Sequence, residues 1–157
     1  MPDITPSEFR SQANGIINFM GGVAENLNGT TAPTFNNLSF ATIATYVTLS
    51  GITGITVNGT FTMSNTSTFD FGSGSARTVT ISGNLVTPQT VTMTGVGLAH
   101  QLKLGGAANA APLTFNTTAG SGSIVEYTGI AQTVFASVNY RHLKLSGSGT
   151  KTFSGGT

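Results

Sequence analysis

The chain has 157 residues, 7% of them charged and none of them cysteine. That length allows one domain with a real core, while the lack of thiols excludes disulfides, thiolate metal sites and thiol nucleophiles. Six basic residues against five acidic ones form no dense stripe for nucleic acid, and no run of about 18 apolar residues is present to span a membrane.

Residues 1–33 carry Asp3, Glu8 and Glu25 against Arg10, a net charge of −2. An acidic start, with Asn18 inside the only candidate apolar run, does not make an export signal. The expectation is a chain not exported by that route, or one whose signal has been removed. Thr5-Pro6-Ser7-Glu8 suits a helix start, with Thr5 capping, Pro6 at the first helical position and Glu8 closing a capping box. Phe9, Ala13, Ile16, Ile17 and Met20 then recur at helical spacing, and Gly21-Gly22 ends the pattern. The spacing predicts an amphipathic helix over residues 6–20. Its apolar face either covers the first open end of a β domain or docks on a partner or another subunit.

From residue 34 to 157 the texture is that of a β domain. Short runs such as Tyr46-Val47-Thr48-Leu49, Thr68-Phe69-Asp70-Phe71, Thr78-Val79-Thr80-Ile81, Gln101-Leu102-Lys103-Leu104 and Leu143-Lys144-Leu145 alternate apolar with polar residues. That is a sheet with one buried and one wet face. Repeats point to a β-solenoid, with a β-sandwich or jelly roll as the alternative. An apolar-small-Gly turn recurs as Leu49-Ser50-Gly51, Val57-Asn58-Gly59, Ile81-Ser82-Gly83, Leu104-Gly105-Gly106 and Leu145-Ser146-Gly147. A longer match pairs residues 100–106 with 141–147, as two turns of coils of roughly 20 residues would require. Lys103 and Lys144 then share one face, roughly 10 Å apart at two strand spacings. With Arg141 and Tyr140 they make a candidate surface-binding face. Leu143, Leu145 and Phe153 are expected inward. Lys151 shares parity with Phe153, which conflicts with a simple strand unless a turn or bulge resets the register. The sequence closes on the turn Ser154-Gly155-Gly156-Thr157 without a capping element, so the repeat is expected to continue or to pair with another subunit.

Residues 125–134 and 140–153, ending Leu145-Ser146-Gly147-Ser148-Gly149-Thr150-Lys151-Thr152-Phe153, resemble the β-strand repeats of large Bacteroidetes-type surface proteins. There a TxxGTGAQTV…YYNLTLSGSGTKTL pattern recurs. Residues 55–63, Ile55-Thr56-Val57-Asn58-Gly59-Thr60-Phe61-Thr62-Met63, resemble the companion ITVNGTLTL turn. The resemblance covers about half of the chain and implies a stacked β fold, extracellular display and an adhesive or structural role, with no catalytic residues. The helical start and missing export signal depart from that pattern. Both fit a virion fibre or spike whose shaft resembles such repeats.

Catalytic chemistry finds little footing. Solenoid lyases and hydrolases need clustered carboxylates. The β region holds only Asp70 and Glu126, far apart in the sequence and each alternating with apolar neighbours. Gly147-Ser148-Gly149 is not a nucleophile elbow. His100 and His142 lack a third ligand for a metal and read as surface residues at strand starts. Thr60-Phe61-Thr62, Thr78-Val79-Thr80 and Thr90-Val91-Thr92 are unevenly spaced, too irregular for an ice-ordering rank. Tyr46, Tyr127 and Tyr140 either stack on sugars or pack at coil corners. The expectation is therefore a non-enzymatic fibre or spike component without cofactor or metal. It would self-associate, a trimer being plausible, and contact other particle or surface proteins. The alternative is a fragment of a secreted adhesin that binds glycans.

Overall fold

The computed structural model describes residues 15–19, 24–40, 46–63, 67–112, 114–117, 122–136 and 139–154. The strands follow the chain as β1 (Ile16–Phe19), β2 (Ala24–Asn28), β3 (Thr34–Phe35), β4 (Asn37–Phe40), β5 (Tyr46–Ser50) and β6 (Gly54–Val57). Next come β7 (Phe61–Met63), β8 (Thr68–Asp70), β9 (Thr78–Ile81), β10 (Leu85–Val86), β11 (Thr90–Thr92) and β12 (Gln101–Leu104). The last are β13 (Thr114–Asn116), β14 (Ile124–Tyr127), β15 (Gln132–Phe135), β16 (His142–Leu145) and β17 (Lys151–Ser154).

These strands stack in parallel as a β-solenoid of about five turns. Face 1 is β1-β4-β7-β10, face 2 is β13-β11-β8-β5-β2 and face 3 is β16-β14-β12-β9-β6-β3, with a separate pair β15-β17. The face 3 register runs Thr34, Thr56, Thr80, Lys103, Glu126, Lys144. These positions advance by nearly equal steps until the last coil, from Glu126 to Lys144, which is clearly the shortest. The sequence match between residues 100–106 and 141–147 thus spans one full coil followed by one shortened coil. The predicted solenoid holds, and the sandwich does not.

The alternation explains the packing. Inward columns run Val47-Phe69-Val91-Phe115 on face 2 and Ile55-Val79-Leu102-Val125 on face 3, all buried. Outward positions carry mainly Thr, whose branched side chain suits a half-solvated strand. Phe69 sits at the centre of an aromatic cluster, 5.6 Å from Phe40, 5.3 Å from Phe61 and 5.3 Å from Phe71 between ring centroids.

The apolar-small-Gly turns belong to two different corners. Leu49-Ser50-Gly51 leads from face 2 to face 3, and the other four leave face 3. Stacking at one strand spacing leaves no room for a side chain there. A Cβ on Gly83 would lie 2.3 Å from the Gly59 carbonyl oxygen. Gly147 has φ +72°, and a Cβ on it would lie 2.3 Å from the Thr128 carbonyl oxygen, so glycine is needed there for both conformation and space.

The helix expected over 6–20 finds no support. Ile16–Phe19 is a strand, paired with Asn37–Phe40 so that Ile17 aligns with buried Leu38. Two β-branched residues beside an open sheet edge favour extension there, because tertiary pairing overrides a short apolar spacing. Phe9, Ala13 and Met20 lie outside the described residues. β1 and β2 both pair with later strands, so residues before position 34 already form part of a coil. Among the described residues, no helix is long and apolar enough to cross a membrane.

The final coil departs from the rest. Between Glu126 and Lys144 the chain returns to face 3 without a described strand paired on face 2. Tyr140 instead packs edge-on against Phe115 at 6.2 Å. Leu143 packs partly against the core, but Leu145 and Phe153, expected inward, are 45% and 49% exposed. They keep inward register over Tyr127 and Val134, and no described strand pairs with the far edge of β16 or β17.

Candidate functional site: a charged ladder on face 3

Face 3 brings the scarce charges together because the coil lengths place them in one outward column. Lys103, Glu126 and Lys144 are consecutive rungs of it, and Thr34, Thr56 and Thr80 continue it downward. Lys144 Nζ lies 3.0 Å from Glu126 Oε1, and the Ser146 hydroxyl donates to the same oxygen at 2.7 Å. The Ser146 hydrogen bond, then the Lys144 and Lys103 charges, hold the Glu126 carboxyl below its ordinary range against the opposing effect of burial. Glu126 is nearly covered while the Lys144 side chain is 60% exposed. The acid is therefore a fixed anchor and the lysine a solvated arm.

Arg141 and Tyr140 do not join that column. Arg141 directly precedes β16, where His100 and Ser123 precede β12 and β14, and it is exposed. Tyr140 turns toward the core. Its hydroxyl donates to the Phe135 carbonyl at 2.8 Å and lies 3.0 Å from the Tyr127 hydroxyl. That second hydroxyl accepts the Phe135 N–H at 3.1 Å. Burial raises the pKa of both tyrosines, so both are neutral donors that tie down the shortened coil.

His142 is exposed, as expected, and aligns with Ile124 and Gln101. His100 is not a surface residue. It is completely buried, stacked edge-on against Phe71 at 5.6 Å, and its Nδ1 accepts the Arg77 N–H at 3.1 Å. Its buried Nε2 has no hydrogen-bond partner. Burial, and then the Arg77 charge, lower the His100 pKa; the Thr94 and Gly72 backbone and Asp70 oppose this. Arg77 is itself buried. Its guanidinium donates to the carbonyls of Phe71 at 2.6 Å, Ser75 at 3.1 Å and Ile52 at 3.1 Å. Burial lowers its pKa and Asp70 opposes that. This Arg-His pair is a structural staple between neighbouring coils. The alternating pattern carried one residue back would have found it, because Arg77 shares parity with inward Val79 and Ile81, and His100 with inward Leu102 and Leu104.

Lys151 resolves its conflict without a register reset. It pairs with buried Gln132, and its ammonium donates to Gln132 Oε1 at 2.7 Å and to the Gly129 carbonyl. Gln132 Nε2 in turn donates to the carbonyls of Leu104 at 2.7 Å and Gly106 at 2.8 Å. An inward polar position is stable here because its groups find partners.

Asp70 lies on face 2 and Glu126 on face 3. Among the described residues no three of His, Asp and Glu gather as a metal site. The three Thr-x-Thr segments fall on separate sides of the coil: Thr78 and Thr80 on face 3, Thr90 and Thr92 on face 2, and Thr62 on face 1. A depression of about 300 Å³ on face 1 is lined by Ile16, Asn18, Asn37, Leu38, Ser39, Thr60 and Thr62. Another of about 240 Å³ is lined by Ala107, Ala131, Gln132, Thr133, Thr150 and Thr152. Neither lining includes an ionisable side chain. No family model, curated protein or solved structure matches the chain.

Proposed function

We propose that this chain is a non-enzymatic structural and attachment protein, an extracellular β-solenoid shaft of a fibre or spike joined to a larger particle such as a virion through its N-terminal segment. One observation carries the reading: the coils present continuous outward columns of hydroxyl, amide and ladder-paired charged side chains, and Asp70 and Glu126 stand on different faces. Such a surface suits repeated lateral contact better than turnover of a substrate. Self-association is tested by sedimentation over a wide dilution range with Phe9→Asp and Ile16→Asp. Ile16 is 59% exposed, so its replacement leaves the core intact. Oligomers that survive dilution in the parent chain and dissociate in these variants support the reading. A monomer at every concentration, unaffected by either change, refutes it.

The charged ladder favours a second reading, a fragment of a cell-surface adhesin. Lys103 and Lys144 with Gln101 and Thr80 offer a row of donors to a glycan. Glycan-array binding lost in Lys103→Ala and Lys144→Ala would select this reading, and an array without signal would remove it.

A further inference from the structure

The corner that carries Arg77 is held by a clasp with a titratable member. Corners leading from face 2 to face 3 include residues 51–53, 71–77 and 93–100. The second of these runs out to exposed residues 73–76 and returns at buried Arg77. Arg77 ties three coils together. Its guanidinium holds the Ile52 carbonyl of the coil below and the Phe71 and Ser75 carbonyls of its own corner. Its carbonyl accepts the Gln101 N–H of the coil above at 2.8 Å. The His100 ring closes the clasp from above by accepting the Arg77 N–H. That role requires a neutral ring with a bare Nδ1 and its proton on Nε2, and the buried Nε2 has no hydrogen-bond partner. A buried donor without a partner is costly, so the ring is held in place by its packing and by the single bond to Arg77.

We propose that this clasp is an acid-released switch: a proton on His100 frees the corner 71–77 from the coil above and uncovers Phe71, while the other coils stay folded. The proton arrives at Nδ1. That nitrogen then becomes a donor facing the Arg77 N–H, also a donor, so the hydrogen bond between them cannot persist. The same proton sets a cation beside the buried Arg77 guanidinium. Among the described residues, Arg77 and Asp70 are the charged groups that act on the ring, and Asp70 Oδ1 already accepts the Gly72 N–H at 2.9 Å. The charged ring gains water only by leaving Phe71, against which it stacks edge-on. Its own segment borders solvent: Ala99 is exposed, and Val96 is 93% exposed. The strand ladders β5-β8-β11 and β6-β9-β12 flank the corner and do not pass through the ring. Each coil of a solenoid contacts only its neighbours, so such an opening stays local. A two-state corner biased by one buried histidine is the physical form of a pH switch, and it holds here whether or not the chain is a shaft.

The test is amide hydrogen exchange of the full chain, read residue by residue by NMR at about pH 7 and about pH 5 and corrected for the intrinsic pH dependence of exchange. The Arg77 and Gln101 N–H groups should open roughly tenfold or more often at the lower pH, since one proton shifts such an equilibrium by up to about tenfold per pH unit below about 6.5. The Thr56 and Thr128 N–H groups, which bond the Pro33 and Leu104 carbonyls, should keep their protection. His100→Asn retains an acceptor for the Arg77 N–H and should hold the corner closed at both pH values. Should that variant not fold, the parent ring decides: His100 should gain its proton in step with the loss of Arg77 protection. Unchanged protection of the corner at the lower pH overturns the proposal, as does an equal loss at all four amides, which is global unfolding. A His100→Asn corner that opens as the parent does, or a His100 ring that titrates with Arg77 still protected, overturns it too.

Discussion

Acidification is expected to loosen this solenoid from its middle, through His100. The ring is completely buried, and its Nδ1 accepts the Arg77 N–H, so the neutral ring carries its proton on Nε2. A second proton would add a cation beside the Arg77 guanidinium, with Asp70 as the opposing charge. Burial and Arg77 therefore hold the folded pKa below the ordinary value of 6.5. Below about pH 6.5 the unfolded chain then binds one more proton than the folded chain, so stability is fully present above that pH and falls as pH drops. One proton gives a limiting slope of about 1.4 kcal/mol per pH unit, or up to roughly 2 kcal/mol between about pH 6.5 and pH 5. Glu126 acts with the same sign in a lower window. Its depressed pKa contributes stability above the ordinary value of 4.5 that is lost as pH falls below it. Urea unfolding midpoints over a pH series read both effects. His100→Asn keeps an acceptor for the Arg77 N–H and does not titrate, so its profile should be flat down to about pH 5. A flat parent profile over that window, or an unchanged slope in His100→Asn, refutes the reasoning.

Other perturbations have different expected costs. Phe69→Ala removes the centre of the Phe40, Phe61 and Phe71 cluster and should cost about 3–5 kcal/mol in chemical denaturation, with Phe69→Leu costing much less. Gly83→Ala forces a Cβ against the Gly59 carbonyl and should cost about 1–3 kcal/mol. Gly74→Ala, where a Cβ would meet only Arg77 Nη2 at 3.7 Å, should stay within about 0.5 kcal/mol. Tyr140→Phe removes the hydrogen bond to the buried Phe135 carbonyl and the one shared with the Tyr127 hydroxyl, which keeps only the Phe135 N–H. It should cost about 1–3 kcal/mol, read as a lowered melting temperature. Lys144→Ala removes an ion pair whose lysine is 60% exposed, so a loss above about 1 kcal/mol would mean that the ladder is more than a surface pair.

The inward and outward parity of face 3 was legible from the sequence, because side-chain direction along a strand has a period of two and needs no knowledge of neighbours. The match between residues 100–106 and 141–147 likewise placed Lys103 and Lys144 in one column. Stacking was not legible, because the partner of a strand depends on coil length and corner geometry, which lie outside any local window. Only the tertiary structure decided that the interval from Lys103 to Lys144 divides into a full coil and a short one, inserting Glu126 between the two lysines. It also dispersed the Thr-x-Thr segments around the coil and drew Ile16 and Ile17 into a strand, since an open sheet edge outweighs a weak helical spacing. At the coil corner before β16 the turn of Tyr140 toward the core was likewise set by its neighbours. Lys151 shows the two levels together: its parity put it inside, and the lone pairs of Gln132 and Gly129 on the rung below make that position stable for a charge.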